Sequence, residues 1–454
     1  MKVKNICCIG AGFVGGPTMA VIAEKCPEIK ITLVDKNKDK IKLWNAHDYE
    51  KIPVNEPGLI SIIKKVRNKN LFFSDDIDSA IIESQIIFLA VNTPTKKEGE
   101  GAGFAADLKY IDECTKNIAR VATDDKIIVE KSTLPVRTAE RIKEIINKNK
   151  KHGIKFEVIS NPEFLAEGTA INDLYKSDRV LIGGDQTSSG KKAVKELVNI
   201  YKRWIPTKKI LEVNVWSAEL SKLASNAFLA QRISSINSLS SLSKATDADI
   251  DEIAKAVGMD KRIGKHFLKV SPGFGGSCFK KDILNLVYLL RFYGLNEEAN
   301  YWYGVIRIND NQRKRVSNII TQYFIDKKIN KKVGLLGWAF KKNTNDTRES
   351  SSIYIAYHLL NQGFEVLIYD PLVNSKKIIE DLREHNRNKK DFDDEEFLKS
   401  VHVMNTMDSI TKSTNVLAIM TEWDEFLKIQ KLSEEIKIFD FRNILKKSKT
   451  IFSF

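Results

Sequence analysis

Apolar residues in the first two hundred positions fall in short blocks, each followed by a stretch that is apolar every third or fourth place. Lys4–Ile9, Lys30–Val34, Ile86–Val91, Lys126–Glu130, Glu157–Ser160 and Arg179–Ile182 read as strands. Strand–helix alternation of this kind predicts a parallel sheet covered on both faces. The pattern changes near Asn214. From Ser217 to about Ala245 Leu220, Leu223, Ala224, Ala227 and Phe228 recur at helical spacing, which predicts one long helix, with further helices to about Asp326. Alternation resumes at Lys332. Lys332–Leu336 resembles Lys4–Ile9, and Val366–Asp370 resembles Ile31–Asp35. Each pair is a strand entering a glycine turn, then a strand ending in aspartate, so the chain carries a weak internal duplication of a nucleotide-binding architecture. The charged stretch Arg383–Glu396 reads as an exposed insertion. The expected fold class is α/β, with two doubly wound domains, 1–213 and 329–454, joined by a helical domain, 214–328.

Composition narrows the class. A chain of 454 residues predicts two to four domains, and 43% hydrophobic with 29% charged residues is ordinary for a folded protein. No run reaches the ~18 uncharged apolar residues of a membrane span. The N-terminal run Met1–Cys8 leads straight into a glycine turn, so it reads as a strand and not a secretory signal. The net charge of +14 raises nucleic acid as a partner. The lysines are scattered, however, with no basic tail and no basic–aromatic ladder, and a Lys-rich surface with local sites for anionic ligands suffices. Five cysteines without CxxC spacing argue against a disulfide framework or a zinc site and point to a reduced, cytoplasmic protein. No metal site is expected.

Six segments carry candidate chemistry. Gly10-Ala11-Gly12-Phe13-Val14-Gly15 follows a strand and precedes a helix. Its glycines permit a tight turn and close approach of a pyrophosphate to a helix N-terminus. Asp35 ends the next strand, where a carboxylate binds a ribose 2′-hydroxyl and repels a 2′-phosphate, so NAD is favoured over NADP; Lys36 and Lys40 are the contrary signal. Gly273 to Asp282 forms a second glycine-rich turn, Gly-Phe-Gly-Gly-Ser-Cys-Phe-Lys-Lys-Asp. Ser277 as N-cap would put Cys278 in the first helical turn, where the helix dipole and lysines favour a nucleophilic thiolate, with Asp282 on the same face. A small buried hydrophobe is the other reading of that cysteine. In Glu219-Leu220-Ser221-Lys222-Leu223-Ala224-Ser225-Asn226, Lys222 and Asn226 lie one turn apart, either in a cleft or on a solvated face. In Asn161-Pro162-Glu163-Phe164-Leu165-Ala166-Glu167-Gly168, Glu163 and Glu167 suit acid–base work or ribose contacts, or are helix-start acids. Last, Val91-Asn92-Thr93-Pro94-Thr95 and Lys131-Ser132-Thr133-Leu134-Pro135 follow strands and offer hydroxyls and N–H groups to a cofactor edge, or are simply turns.

Together, from about Lys4 to Leu445, these segments resemble the UDP-glucose/GDP-mannose dehydrogenase family, above all its animal-type members; the densest stretches are Asn161–Ala170, Glu219–Asn237, Gly258–Asn285 and Asn345–Ile353. The resemblance implies an NAD-binding Rossmann domain, a helical central domain and a C-terminal Rossmann-like UDP domain, assembled as a homo-oligomer of dimers, commonly a hexamer inhibited by UDP-xylose. It implies oxidation of UDP-glucose to UDP-glucuronate with two NAD⁺, through a thiohemiacetal and a thioester on Cys278. Lys222, Glu163, Asp282, Asn226 and Thr133 match the other catalytic positions. Besides the glycine turn, Asp35, Lys40, the Val91–Thr95 loop, Ser132 and Thr133, the resemblance puts Glu167, Lys281 and Arg348 beside the cofactor. It puts Glu163, Phe164, Leu165, Lys222, Asn226, Phe267, Leu268, Lys269, Phe274, Gly275, Cys278, Phe279, Phe340, Lys341 and Arg442 on the nucleotide sugar, with Arg262 reaching in from a neighbouring subunit. Three positions depart from the pattern. Asn55 replaces an aromatic before Glu56-Pro57-Gly58, Lys40 replaces an arginine, and Phe441 replaces a glycine just before Arg442, which makes the role of that arginine the least secure of those the resemblance carries over. Dehydrogenases of GDP-mannose or UDP-N-acetylhexosamines, and a non-catalytic nucleotide-sugar-binding regulator, are the alternative readings.

Overall fold

A computed structural model describes residues 3–387, 394–432 and 435–454. The chain divides into two compact units, Met1–Ser225 and Asn226–Phe454, with the boundary inside the helix Val215–Ala245.

The first unit is built on strands β1 (Asn5–Ile9), β2 (Lys30–Val34), β3 (Leu71–Ser74), β4 (Ile86–Leu89), β5 (Lys126–Glu130), β6 (Phe156–Ser160), β7 (Val180–Gly184) and β8 (Ile210–Asn214). They form one sheet in the order β3-β2-β1-β4-β5-β6-β7-β8, parallel except where β7 runs against β6. The six blocks read from the sequence are β1, β2, β4, β5, β6 and β7, shifted by two residues or fewer at their ends. The sequence reading missed β3 and β8, the two edges. Alternate positions of β3 are only half-buried and β8 is exposed over most of its length, so neither shows an unbroken apolar run. On β1, neighbours face opposite sides of the sheet: Cys8 enters one apolar core with Leu33 and Phe88, and Cys7 the other with Ile87 and Ile128. Burial pushes both thiols well up, so they serve as small hydrophobes.

The second unit carries β9 (Lys332–Leu336), β10 (Glu365–Tyr369), β11 (Val401–Val403), β12 (Val416–Ile419), β13 (Lys437–Asp440) and β14 (Ile451–Ser453) in the order β11-β10-β9-β12-β13-β14. Counting from its own first strand, this is the order 3-2-1-4-5-6, which the first six strands of the other sheet repeat. The duplication therefore reaches the topology. The two glycine turns have diverged in detail. Gly337 has φ +103°, and a Cβ there would lie 2.4 Å from Thr421 Cβ, so only glycine fits. Asp370, after β10, accepts from the N–H groups of Trp338 (2.7 Å), Ala339 (3.0 Å), Leu372 (2.9 Å) and Val373 (3.0 Å) and from Trp423 Nε1 (3.2 Å).

The helices Ile250–Met259, Phe279–Phe292 and Asn296–Lys327 accompany this sheet. Val215–Ala245 is one helix, as its spacing predicts, but the expected apolar stripe splits: Leu223 and Ala227 are buried while Leu220 and Phe228 are exposed. Of the stretch Arg383–Glu396, Arg383 and Glu384 are exposed and Asn386 is buried. Arg383–Arg387 completes the helix Ser375–Arg387, in which Leu382 and Asn386 are buried, and Asp394 opens the helix Asp394–Lys399; residues 388–393 lie outside the described residues. Among the described residues no helix is long and apolar enough to cross a membrane.

Candidate active site

The glycine turn after β1 has a shape that only glycines allow. Gly10 has φ +114°, and a Cβ there would meet Ala90 O at 2.4 Å; one on Gly15 would meet Gly10 O at 2.0 Å. Gly12, in contrast, borders open space within 4 Å. No side chain caps the helix Gly15–Lys25, so its N-terminal end presents backbone N–H groups. A tight turn, an open flank and an uncapped helix start are what a pyrophosphate needs. Asp35, at the end of β2, accepts from Ala11 N–H (3.0 Å), Asn37 N–H (2.9 Å) and Lys40 Nζ (2.9 Å). Burial opposes its ionisation, but these donors outweigh it and hold the carboxyl below the usual range. Lys40 is thus engaged with Asp35. Phe13 is exposed beside the turn, and Val14 is the residue before the helix. These residues fit a dinucleotide whose ribose 2′-hydroxyl is free.

The loops after β4 and β5 are tied together. Thr93 Oγ1 donates to Thr133 O (3.0 Å), and Ser132 Oγ donates to Val91 O (2.6 Å). Asn92 and Pro94 stay exposed at the rim. The Asn161–Gly168 segment runs without helix after β6, so Glu163 and Glu167 do not share a helical face and are not helix-start acids; the next helix is Ala170–Tyr175. Glu56 holds this segment by accepting from Gly168 N–H (2.8 Å) and Ala170 N–H (3.2 Å), while Asn55 is exposed. Glu163 Oε1 lies 3.2 Å from Lys222 Nζ, and its Oε2 accepts from Leu165 N–H at 2.6 Å. Phe164 is covered by Arg179 at 3.9 Å and Lys222 at 5.3 Å from its ring centre. Burial works against Glu163's charge, yet Lys222, the Leu165 N–H and Lys131 hold its carboxyl below the usual range. Lys222 is 4% exposed, which decides against the solvated-face reading.

In the second unit the turn Gly273–Gly276 is shaped by contact. Asn309 Oδ1 accepts from Phe274 N–H (2.7 Å), and Arg313 Nη2 donates to Phe274 O (2.9 Å). A Cβ on Gly275 would meet Glu349 O at 2.6 Å, so backbone packs on backbone here. The helix Phe279–Phe292 follows, and its N-cap is Cys278 itself, one residue later than the expected Ser277; the Cys278 side chain is exposed. Exposure excludes the buried-hydrophobe reading. Ser277 Oγ lies 3.5 Å from Cys278 Sγ. One turn on, Asp282 is 1% exposed, accepts from Asn226 Nδ2 at 2.6 Å and lies 3.2 Å from Lys281 Nζ. Asn226 is likewise buried.

Phe267, Phe274 and Phe279 meet edge to face, with Phe279 6.3 Å from Phe267 and 5.8 Å from Phe274. Leu268 is buried and Lys269 exposed. Arg442 donates to Met420 O (2.7 Å) and Phe340 O (3.3 Å) and pairs with Glu422 (3.2 Å). Glu422 escaped the sequence reading. Burial opposes its ionisation, but Arg442, with Lys269 and Lys342, keeps its carboxyl below the usual range. Lys341 Nζ sits 5.6 Å from the Phe340 ring centre. Phe441 and Arg442 have separate surroundings. Its ring is fully buried, stacks on Phe439 at 5.8 Å and contacts Phe454 at 5.2 Å, while Arg442 engages Met420 and Phe340. Arg262 and Arg348 are exposed and close onto Asp260 and Asp346, each at 2.6 Å.

A parallel sheet with a glycine turn, an open helix N-terminus and a strand-end carboxylate defines a dinucleotide-dependent oxidoreductase, here with an exposed cysteine on a second unit of the same topology. The chain belongs to the UDP-glucose/GDP-mannose dehydrogenase family: the NAD binding domain of that family matches residues 4–205, the central domain 216–311 and the UDP binding domain 334–447. It is 52% identical to a UDP-glucose 6-dehydrogenase of Drosophila melanogaster, over 97% of this chain and 93% of that one. It is 50% identical to UDP-glucose 6-dehydrogenase 3 of Oryza sativa subsp. japonica, over 98% and 94%. Among solved structures, a UDP-glucose dehydrogenase of Pyrobaculum islandicum superposes with TM-score 0.82 at 28% identity, covering 99% of this chain and 96% of that one.

Proposed function

We propose that this protein oxidises the C6 hydroxyl of UDP-glucose to the carboxylate, releasing UDP-glucuronate and two NADH, by way of a thioester on Cys278. The observation that carries the substrate is the 52% identity, over 97% of the chain, to a relative named UDP-glucose 6-dehydrogenase. NAD⁺, when bound, would supply the hydride acceptor for each of the two oxidations at C6. The glycine turn and Asp35 hold the pyrophosphate and ribose, with Lys40, the Val91–Thr95 loop, Ser132, Thr133, Glu167, Lys281 and Arg348 around the rest of the cofactor. Cys278 adds to the aldehyde carbon, and the sulfur lies at a helix start, where the dipole favours negative charge. The bond to sulfur keeps the intermediate on the protein. Lys222 steadies the negative oxygen that forms at each addition. Asn226 orients Asp282, which holds a proton near the sulfur. Glu163, kept ionised by its cations, takes a proton from water; that water's oxygen joins the thioester carbon, the C–S bond breaks, and Cys278 leaves as the thiolate. Phe267, Lys269, Phe274, Phe279, Phe340, Lys341 and Arg442 hold the uridine diphosphate, since two phosphates call for cations and a base for aromatic surface.

We further propose three working segments, 1–213, 214–328 and 329–454, a cytoplasmic location and self-association. The exposed Leu220, Phe228, Leu239 and Leu242 share one stripe of the helix Val215–Ala245 and suit packing against a second copy.

The test is NADH formed per UDP-glucose consumed, by absorbance and product analysis. A ratio of two with acid as product is expected. A ratio of one with free aldehyde would remove the thioester route, and inertness toward UDP-glucose would remove the substrate. Cys278→Ser is expected to abolish acid formation; near-normal acid output from that variant counts against the nucleophile.

A further inference from the structure

Lys131 is the first residue after β5, and its side chain has no place in the roles above. It is buried, with 4% of its surface exposed. A buried ammonium is costly unless something fixed repays it. Here Nζ donates to Asn161 Oδ1 (3.1 Å) and to Tyr201 OH (3.4 Å), and Tyr201 OH in turn donates to Asn161 Oδ1 (2.7 Å). Asn161 Nδ2 donates to Leu181 O (2.8 Å). The amide of Asn161 is thereby locked from three sides, and two residues later the chain delivers Glu163 to Lys222. Two residues after Lys131 the same chain delivers Thr133. One buried cation thus fixes the root of the Glu163 turn and belongs to the loop that carries Thr133.

We propose that Lys131 is a positioning residue for Glu163: its buried ammonium anchors the Asn161-Pro162-Glu163 turn and supplies, with Lys222, the positive charge opposite the Glu163 carboxylate. This rests on the reading of Glu163 as the group that activates water. Lys222 alone would leave Glu163 facing one cation that is also needed on substrate oxygen. A second cation, buried and held by Asn161 and Tyr201, keeps the carboxylate charged while Lys222 is otherwise engaged. The groups facing Lys131 are Glu163, Lys222, Cys8 and the Tyr201 hydroxyl. Burial first, with Lys222 adding to it and Glu163 opposing, pulls the Lys131 ammonium down to about 8. Below that pH it is charged and performs the task; above it the charge fades.

The experiment is the pH profile of kcat for the full-length enzyme, with the mass of acid-quenched protein read for an adduct on Cys278. Lys131→Met is expected to move the acid limb up by about one pH unit, with KM for UDP-glucose within about twofold, and to accumulate the thioester adduct at pH 6. Lys131→Arg, which keeps the charge, is expected to bring the limb back toward wild type. Tyr201→Phe loosens the same network without removing charge and is expected to leave the limb in place. Should Lys131→Met not fold, Lys131→Gln carries the same comparison. An unmoved limb and no adduct in the neutral variants, while Glu163→Gln abolishes the limb, overturn the role of Lys131 and leave that of Glu163 standing. A limb that survives in Glu163→Gln overturns the reading of Glu163, and the proposal with it.

Discussion

The carboxylate of Asp35 shows how one residue sets cofactor choice. It is charged because Lys40 and two N–H groups outweigh its burial. Its charge disfavours a 2′-phosphate, and its grip on Lys40 occupies a nearby cation that would otherwise attract one. Asp35→Ala therefore acts twice, removing the repulsion and releasing the lysine. The expected result is a rise in KM for NAD⁺ of about tenfold, the worth of one hydrogen bond to a charged group, together with improved use of NADP⁺. Initial rates with each cofactor check this, and unchanged kinetics with both would refute the contact. At this scale much of the site was legible. Glycines, Asp35 and Cys278 stand in short motifs whose chemistry follows from residue type and spacing. Lys131, Asn161 and Glu422 were not legible as partners, because their significance lies in what the fold brings to them from 20 to 70 residues away.

Elements show a different economy of charge. Glu219, on the helix Val215–Ala245, accepts from the N–H groups of Arg137 and Ala139, both at 2.8 Å, and so caps the helix Thr138–Asn149. Glu130, the last residue of β5, is fully buried against it. Two carboxylates cannot both ionise there; burial first, and then the Glu219 charge, hold the Glu130 carboxyl well above the usual range, with Lys143 and Ser160 the opposing neighbours. That shift favours the protonated form of Glu130 beside the Glu219 carboxyl. The unfolded chain releases that proton at the ordinary glutamate pKa while the folded chain retains it. Raising pH above the ordinary glutamate range therefore costs stability. Glu130→Gln keeps a donor without the titration, so its thermal midpoint is expected to fall less between pH 5 and pH 9 than that of wild type. Parallel curves would show that Glu130 is already ionised. Elements were legible where burial is continuous. Central strands betray themselves by unbroken apolar runs; β3 and β8 do not, because an edge strand leaves alternate positions bare.

For the whole molecule, Phe441 marks the limit of reading a chain against a pattern. A bulky residue where glycine is usual signals trouble for Arg442 only if both side chains compete for one space. On a strand's end, neighbours part, and the ring joins Phe439, Phe452 and Phe454 in the core of the second unit. Phe441→Ala is expected to cost that unit about 3–5 kcal/mol, seen as a lower thermal or urea midpoint, with KM for UDP-glucose little changed. A stable variant with a raised KM would return the residue to the site. The two sheets also bear on how many cofactor molecules one chain can hold. Asp35 has three donors, the N–H groups of Ala11 and Asn37 and the half-buried Lys40, whereas Asp370 has five, two of them from the indole-bearing residues Trp338 at the turn and Trp423 after β12. The aspartate of the second cradle is thus tied to its own chain by more donors than that of the first. Equilibrium titration with NAD⁺ should accordingly saturate at no more than one molecule per polypeptide, although the gene spells the cradle twice.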